Sequence, residues 1–297
     1  MTGLTRRRVL LAGLGGAGAA GLAGAGMAGL VEAEVLPGKV RLDRALGKCG
    51  DTPPVPAERA DVRTERFRSA ARGRDVAFTV ASPRGHALKG LPVALVLPGL
   101  GSDSSALSGM NLHAYLAQAV AHGAPPFALV GLDGGDTYWH RRANGDDPQK
   151  MVTDEVLPRL RRLGLRTDRI GLSGWSMGGY GALLLAQALG PRRVAVAAVS
   201  SPALFRSYAK ARAANPGSFD DEADFARHDV VARLDRLRPI PLWIDCGTSD
   251  PFAPVVRDAL GRMSPRPEGG LFGGCHDGAY WRRRTPGRLA FIGRHLP

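Results

Sequence analysis

The chain has 297 residues, 44% hydrophobic and 23% charged, which is an ordinary globular composition with enough apolar content for a sizeable core. The length suits one large α/β domain or two small ones. The net charge of +13 raises nucleic acid, anionic membrane or acidic glycan as partners. The cations, however, are mostly arginines dispersed along the chain, the longest clusters are as short as Arg282-Arg283-Arg284, and only 6% of residues are aromatic. A nucleic-acid partner is not expected.

Thr5-Arg6-Arg7-Arg8-Val9-Leu10-Leu11 opens a charged segment, and an uncharged, Gly- and Ala-rich run follows from Val9 to Val31. Paired arginines before a mild apolar stretch are similar to a twin-arginine export signal, here assigned to residues 1–33. Cleavage after Ala25 or after Ala33 fits the small-residue rule equally. The glycines make the run a poor membrane anchor, so no stable span is expected after cleavage. Residues 34–73 are Pro- and Arg-rich with weak periodicity and read as an extended arm packed on a domain spanning 74–297.

From there strands and helices alternate. Val76–Ala81, Val93–Leu97, Phe127–Leu132, Arg169–Leu172, Val194–Val199 and Pro241–Cys246 read as strands, several as continuous apolar runs of the kind covered on both faces. Leu112–Ala121, Met151–Leu163, Tyr180–Ala188, Val255–Met263 and Arg288–His295 read as helices. The alternation predicts an α/β fold with a mostly parallel sheet and helices on both faces. Residues 203–238 break the rhythm at Asn215-Pro216-Gly217, and Asp220-Asp221-Glu222 looks like a helix start. This insertion is short enough to form only a partial cap.

Gly174-Trp175-Ser176-Met177-Gly178 fits G-x-S-x-G. The chemistry needs a serine on a sharp, strained strand-to-helix turn, with glycines where neighbouring elements come close. An apolar strand precedes the pentapeptide, and Gly178-Gly179-Tyr180-Gly181-Ala182-Leu183 opens a helix after it, so the context matches the motif. Ser176 is then the candidate nucleophile. The motif sets the chain order serine, acid, histidine. Of the histidines after Ser176, His295 is near the C-terminus and His228 lies in the insertion. His276, in Gly273-Gly274-Cys275-His276-Asp277-Gly278, sits in the glycine-bounded loop that a proton-shuttling base needs. The acid belongs at the exit of a strand between the two. Asp250 in Thr248-Ser249-Asp250-Pro251-Phe252 fits, and Asp245, inside the strand, is the alternative. Backbone N–H donors for an oxyanion are expected from Met177, after the nucleophile, and from Leu100 in Pro98-Gly99-Leu100-Gly101, with Gly101 as runner-up. Tyr138, Trp139 and His140 follow a strand and are candidates to line a substrate pocket at the same sheet edge.

The three cysteines, Cys49, Cys246 and Cys275, allow one bridge and one free thiol. Cys49–Cys246 is preferred, as a staple of the N-terminal segment to the core, and Cys246–Cys275 is the rival. No clustered His/Cys spacing suggests a metal, and no cofactor is expected.

The oxyanion loop Pro98-Gly99-Leu100, the elbow Gly174 to Ala182, and His276 followed by Tyr280-Trp281 together resemble the Putative esterase branch of the α/β-hydrolases. That branch includes esterase D (S-formylglutathione hydrolase) and the antigen 85 mycolyltransferases. The resemblance spans about residues 75–295. It implies the α/β-hydrolase fold and a Ser176, His276, Asp250 triad with Leu100 and Met177 as oxyanion donors. It also implies a carboxylester hydrolase acting through an acyl-enzyme, on a small-molecule or a lipid or glycan ester, and the export signal at residues 1–33 predicts a secreted or cell-envelope location. Acyl transfer to an alcohol is the alternative. Gly278 stands where the mycolyltransferases carry tryptophan, and no glutamate stands at their acid position, so hydrolysis is favoured. A non-catalytic cell-wall binding protein on the same fold is the remaining reading.

Overall fold

The computed structural model describes residues 39–297. The export signal expected over residues 1–33 lies outside them, as do the first residues of the expected arm. An eight-stranded sheet in the order β1-β2-β4-β3-β5-β6-β7-β8 forms the centre. Its strands are β1 (Ala60–Ser69), β2 (Arg74–Pro83), β3 (Pro92–Leu97), β4 (Ala128–Leu132), β5 (Arg166–Trp175), β6 (Val194–Ser200), β7 (Leu242–Gly247) and β8 (Glu268–Phe272). β1, β2 and β4 pair antiparallel, and from β4 to β8 every pair is parallel.

The strands β3, β4 and β6, apolar but for Ser200, are buried at every residue, as strands covered on both faces must be. Alternate residues feed two cores. Leu95 and Leu97 pack with Val152, Leu160, Leu183 and Leu185, while Ala94 and Val96 pack on the other face with Leu112, Leu116, Leu289 and Ile292. Helices α1 (Lys39–Ala45), α2 (Leu112–Ala121), α3 (Leu157–Arg162) and α4 (Met177–Leu189) precede the insertion. The insertion holds α5 (Tyr208–Ala214) and α6 (Glu222–His228), and α7 (Ala253–Arg262) and α8 (Gly278–His295) complete the chain. Asp221 caps α6 by accepting from the Asp224 N–H at 2.6 Å, so the helix start read at Asp220-Asp221-Glu222 is where it was expected.

Three elements differ from the sequence reading. Within the segment read as an arm, Ala60–Ser69 is β1, paired with β2 over ten residues, so the domain begins well before residue 74. Its Arg63, Glu65, Arg66 and Arg68 are the charged side chains of an exposed edge strand, which hide the strand pattern and guard the edge. β8 escaped detection because Gly269 and Gly270, both at positive φ, dilute its apolar pattern. α8 begins ten residues before Arg288 and carries Pro286 inside it.

Register places the site. Gly174 of β5 stands beside Leu97 of β3 and Val199 of β6, and Asp245 of β7 stands beside Ser200. Gly247 stands beside Phe272 of β8. The loops that carry Leu100, Ser176, Asp250 and His276 therefore all leave the carboxyl ends of parallel strands. The chain runs from β3 to β4 on one side and to β5 on the other, so β3 and β5 flank the switch point where such sheets bind ligands.

A buried ion pair ties the β1–β2 hairpin to this edge. Arg72 reaches both oxygens of Asp146 through Nε and Nη2, the latter at 3.0 Å, and donates from Nη1 to the Asp133 carbonyl at 2.9 Å. Both partners are buried. Asp146→Ala should therefore lower unfolding free energy by about 3–5 kcal/mol in chemical denaturation, because the guanidinium stays buried without its counterion. A loss below about 1 kcal/mol would show that Arg72 escapes to solvent.

Candidate active site

Ser176 follows β5 at φ 54° and ψ −126°, a left-handed backbone that a non-glycine residue adopts only under constraint. The constraint is visible. Its N–H donates to the Ser200 carbonyl at 3.2 Å, and its own carbonyl accepts from the Tyr180 and Ala203 N–H groups, each at 3.0 Å. The turn is possible because Gly174 and Gly178 leave room. A Cβ on Gly174 would meet the Gly178 carbonyl oxygen at 2.5 Å, and one on Gly178 would collide with the backbone of Leu97 and Pro98. The backbone is fixed and the hydroxyl stands at the head of α4.

The hydroxyl meets one ring. His276 Nε2 is 2.8 Å from Ser176 Oγ, and His276 Nδ1 is 2.8 Å from Asp250 Oδ2. A carboxylate only accepts, so Nδ1 carries the proton and Nε2 accepts from the serine hydroxyl. The Asp250 side chain is fully buried and that of His276 is one-fifth exposed. Asp250 Oδ1 accepts from the Phe252 N–H at 2.8 Å, so one carboxylate both opens α7 and holds the imidazole. Phe252 and Trp281 meet the imidazole in T-shaped contacts, with centroids 5.2 and 5.1 Å away.

Asp245 lies elsewhere. It is fully buried in β7 and accepts from Ser200 Oγ and from Trp243 Nε1, the latter at 2.6 Å, so it is not the acid of the relay. The Pro98-Gly99-Leu100-Gly101 loop lies against the elbow: a Cβ on Gly99 would stand 3.4 Å from Ser176 Cβ. The Gly101 N–H donates to Asp136 Oδ1 at 2.6 Å and is committed there. The Leu100 and Met177 N–H groups donate to no acceptor among the described residues. A cavity of about 530 Å³ borders this loop, with Gly101, Ser102, Asp103, Asp133 and Asp136 in its wall.

The aromatic trio is a correction. Tyr138, Trp139 and His140 are 4, 1 and 0% exposed and offer almost no surface to a substrate. Tyr138 and Trp139 take consecutive left-handed conformations that turn them into the core. Tyr138 packs on Tyr180, Phe205 and Phe219. Burial pushes its hydroxyl up to about 12. Trp139 fills the space left by Gly134 and Gly181. His140 stacks between Phe219 and His228, and its ring nitrogens face the carbonyls of Arg141 and Ser218 at 3.1 and 3.2 Å. Burial, then the neighbouring His228, holds its pKa down. The trio anchors the insertion, with Arg142 on Asp220 (2.8 and 3.0 Å) and Gln187 on the Val230 and Arg233 carbonyls.

The disulfide is a second correction. It joins Cys49 to Cys275, and Cys246 is a buried free thiol. Cys246 is fully buried in β7, and that burial raises its pKa strongly. Among the described residues, two groups bring metal-ligating side chains together. In Cys49, Cys275 and Asp277 the sulfurs are bonded to each other. In His140, Asp224 and His228 the donor atoms already engage carbonyls and one another.

Fold and site define a serine hydrolase of the α/β-hydrolase class. The sequence profile of the Putative esterase family matches residues 69–264, and the chain belongs to that family and is a serine ester hydrolase. No curated protein matches it by sequence. Among solved structures, it is similar to the fluorophosphonate-binding serine hydrolase F of Staphylococcus aureus, at 20% identity and a TM-score of 0.65, over 79% of this chain and 99% of that one. The S-formylglutathione hydrolase of Agrobacterium tumefaciens has a TM-score of 0.66 at 15% identity, over 84% of this chain and 99% of that one. Mycobacterium tuberculosis MPT51 has 0.62 at 17%, over 80% and 100%. At these identities the likeness is one of fold.

Asp250→Asn places an amide where Nδ1 needs an acceptor and offers a donor in its place. The expected result is a fall in kcat of about ten-thousand-fold with the fold intact, read by ester turnover and circular dichroism. Activity within tenfold of wild type would remove Asp250 from the relay.

Proposed function

We propose that the enzyme is an exported carboxylester hydrolase in which Ser176 attacks, His276 moves the proton and Asp250 orients the base. The observation that carries this reading is the unbroken relay at 2.8 Å on both sides of one imidazole. Ser176 Oγ adds to the ester carbonyl as its proton passes to His276 Nε2. The imidazolium that forms faces the buried Asp250 carboxylate across Nδ1–H. The carbonyl oxygen becomes an oxyanion, and the uncommitted N–H groups of Leu100 and Met177 are the donors assigned to it, each contributing on the order of 3 kcal/mol. His276 then returns its proton to the departing alcohol. Water repeats the sequence on the acyl-enzyme and releases the acid.

The wall of carboxylates beside the oxyanion loop disfavours an anionic alcohol portion and suits a neutral or hydroxyl-rich one. Water as final acceptor is supported by the absence of the mycolyltransferase acid and tryptophan. All three relay residues are present, which argues against a purely binding role. Export rests on the twin arginines at Arg6 and Arg7, and a disulfide suits an oxidising compartment.

Two experiments test this reading. A fluorophosphonate probe should label Ser176, located by mass spectrometry, and Ser176→Ala should lower turnover of a short p-nitrophenyl ester by at least about ten-thousand-fold. Equal rates in both proteins defeat the catalytic reading, and a sugar-ester product with an added sugar acceptor would favour transfer. For export, Arg6→Lys with Arg7→Lys should keep the protein inside the cell, judged by fractionation and N-terminal sequencing. Undiminished release would defeat the twin-arginine assignment.

A further inference from the structure

The loop that carries His276 is built from residues that give it little shape of its own. Gly273, Gly274 and Gly278 flank the histidine, and Gly274 sits at φ 151°. Glycine has the largest conformational freedom to lose, so such a loop must be fixed from outside. Its first half is fixed. The Thr248 N–H donates to the Phe272 carbonyl at 2.8 Å, and the Ser249 N–H to the Gly274 carbonyl at 2.9 Å. Past Gly274 the chain has one covalent anchor, the bridge from Cys275 to Cys49, directly before the catalytic imidazole.

The other end of the bridge is held just as deliberately. Residues 41–51 form a strap across the base of the loop. Arg283 of α8 donates to the Cys49 carbonyl at 2.7 Å and to the Asp51 carbonyl at 2.5 Å. Gly50, at φ 70°, lets the guanidinium lie against the strap backbone. Arg44 reaches Asp277, the cap of α8, at 3.4 Å. Strap, loop and α8 thus close a triangle with the disulfide as one side. Cys275 is fully buried and Cys49 nearly so.

We infer that the Cys49–Cys275 bridge is a positioning device for His276, and that the enzyme is fast only when it is closed. The inference rests on the reading of His276 as the base. Two thiols form the bridge by giving two electrons and two protons to an external organic disulfide, which leaves as two thiols. With the thiols separate, the glycine-bounded loop samples positions in which Nε2 no longer meets Ser176 Oγ. A misplacement of about 1 Å at such a contact costs on the order of a hundredfold in rate. The ester-binding surfaces do not move, so the loss falls on kcat and leaves KM in place. A chain made under reducing conditions is on this account a slow enzyme that accelerates on oxidation.

The test compares oxidised wild type, phosphine-reduced wild type and Cys49→Ser, whose substitution lies 226 residues from Cys275 in sequence. Each is assayed well below its melting transition, with far-UV circular dichroism confirming the fold. Readouts are kcat and KM on p-nitrophenyl acetate and the rate of fluorophosphonate capture at Ser176. Expected is a fall of at least about tenfold in kcat and capture rate, with KM within about threefold, and recovery when the reduced protein is reoxidised with a small disulfide. Phe67→Ala, a truncation in edge strand β1 at the opposite end of the sheet from β8, is the destabilised control and should keep its kcat within about twofold. If Cys49→Ser does not fold, reduction and reoxidation of wild type carry the comparison. Folded, bridge-free protein with the oxidised kcat overturns the inference, as does an equal kcat loss in Phe67→Ala. Wild type that neither captures the probe nor turns over ester overturns the triad reading, and this inference with it.

Discussion

A single left-handed residue sets the geometry of this site. At Ser176 the chain must leave β5, reverse within one residue and enter α4, and three backbone hydrogen bonds to Ser200, Tyr180 and Ala203 hold it there. Such a conformation costs on the order of 1–3 kcal/mol and persists only where surroundings over-determine it. The surroundings here are the two parallel neighbours of β5 and the glycines that let α4 press against Leu97. Because the turn is rigid, the hydroxyl has one place to be. Everything else at the carboxyl edge is arranged around that point. The loop after β3 brings Gly99 against it, and the loops after β7 and β8 bring Asp250 and His276 to it.

What the sequence revealed follows from how local each signal is. The elbow is local: strand, glycine spacing and helix start lie within about a dozen residues, so Ser176 was legible. The buried parallel strands were legible because a short, continuous apolar run between turn residues suits a strand covered on both faces. That Asp250 and His276 meet was readable from chain order and loop character, since a strand exit and a glycine-bounded loop leave recognisable residues. β1 was not readable, because Arg63, Glu65, Arg66 and Arg68 obey the needs of an edge strand and not those of a core. The bridge was not readable either. Cysteine pairing depends on which loop ends meet in space, and Cys246, which neighbours the acid in sequence, points into the core.

The aromatic trio shows the limit of placing residues by strand exit alone. Tyr138, Trp139 and His140 leave the correct edge of β4, yet their backbone turns them inward. A strand exit fixes where a loop begins and not which way its side chains face. Two consecutive left-handed residues send a bulky tyrosine and tryptophan beneath the insertion, where Gly134 and Gly181 have vacated space for the indole. The glycines of Asp133-Gly134-Gly135 were the available signal. They mark room made for a large side chain as readily as a mobile rim.

The same contrast explains why Asp250, and not Asp245, meets the histidine. Asp245 sits inside β7 beside Ser200, and its oxygens go to Ser200 Oγ and the Trp243 indole. A strand residue is held to the pleat and cannot turn toward a ring that stands above the sheet edge. Asp250, three residues past the end of β7, has left the ladder, and its backbone is already bending into α7. One of its oxygens closes that bend on the Phe252 N–H, which orients the carboxylate, and the other is thereby aimed at Nδ1. The helix start and the contact with His276 are two uses of one fixed group.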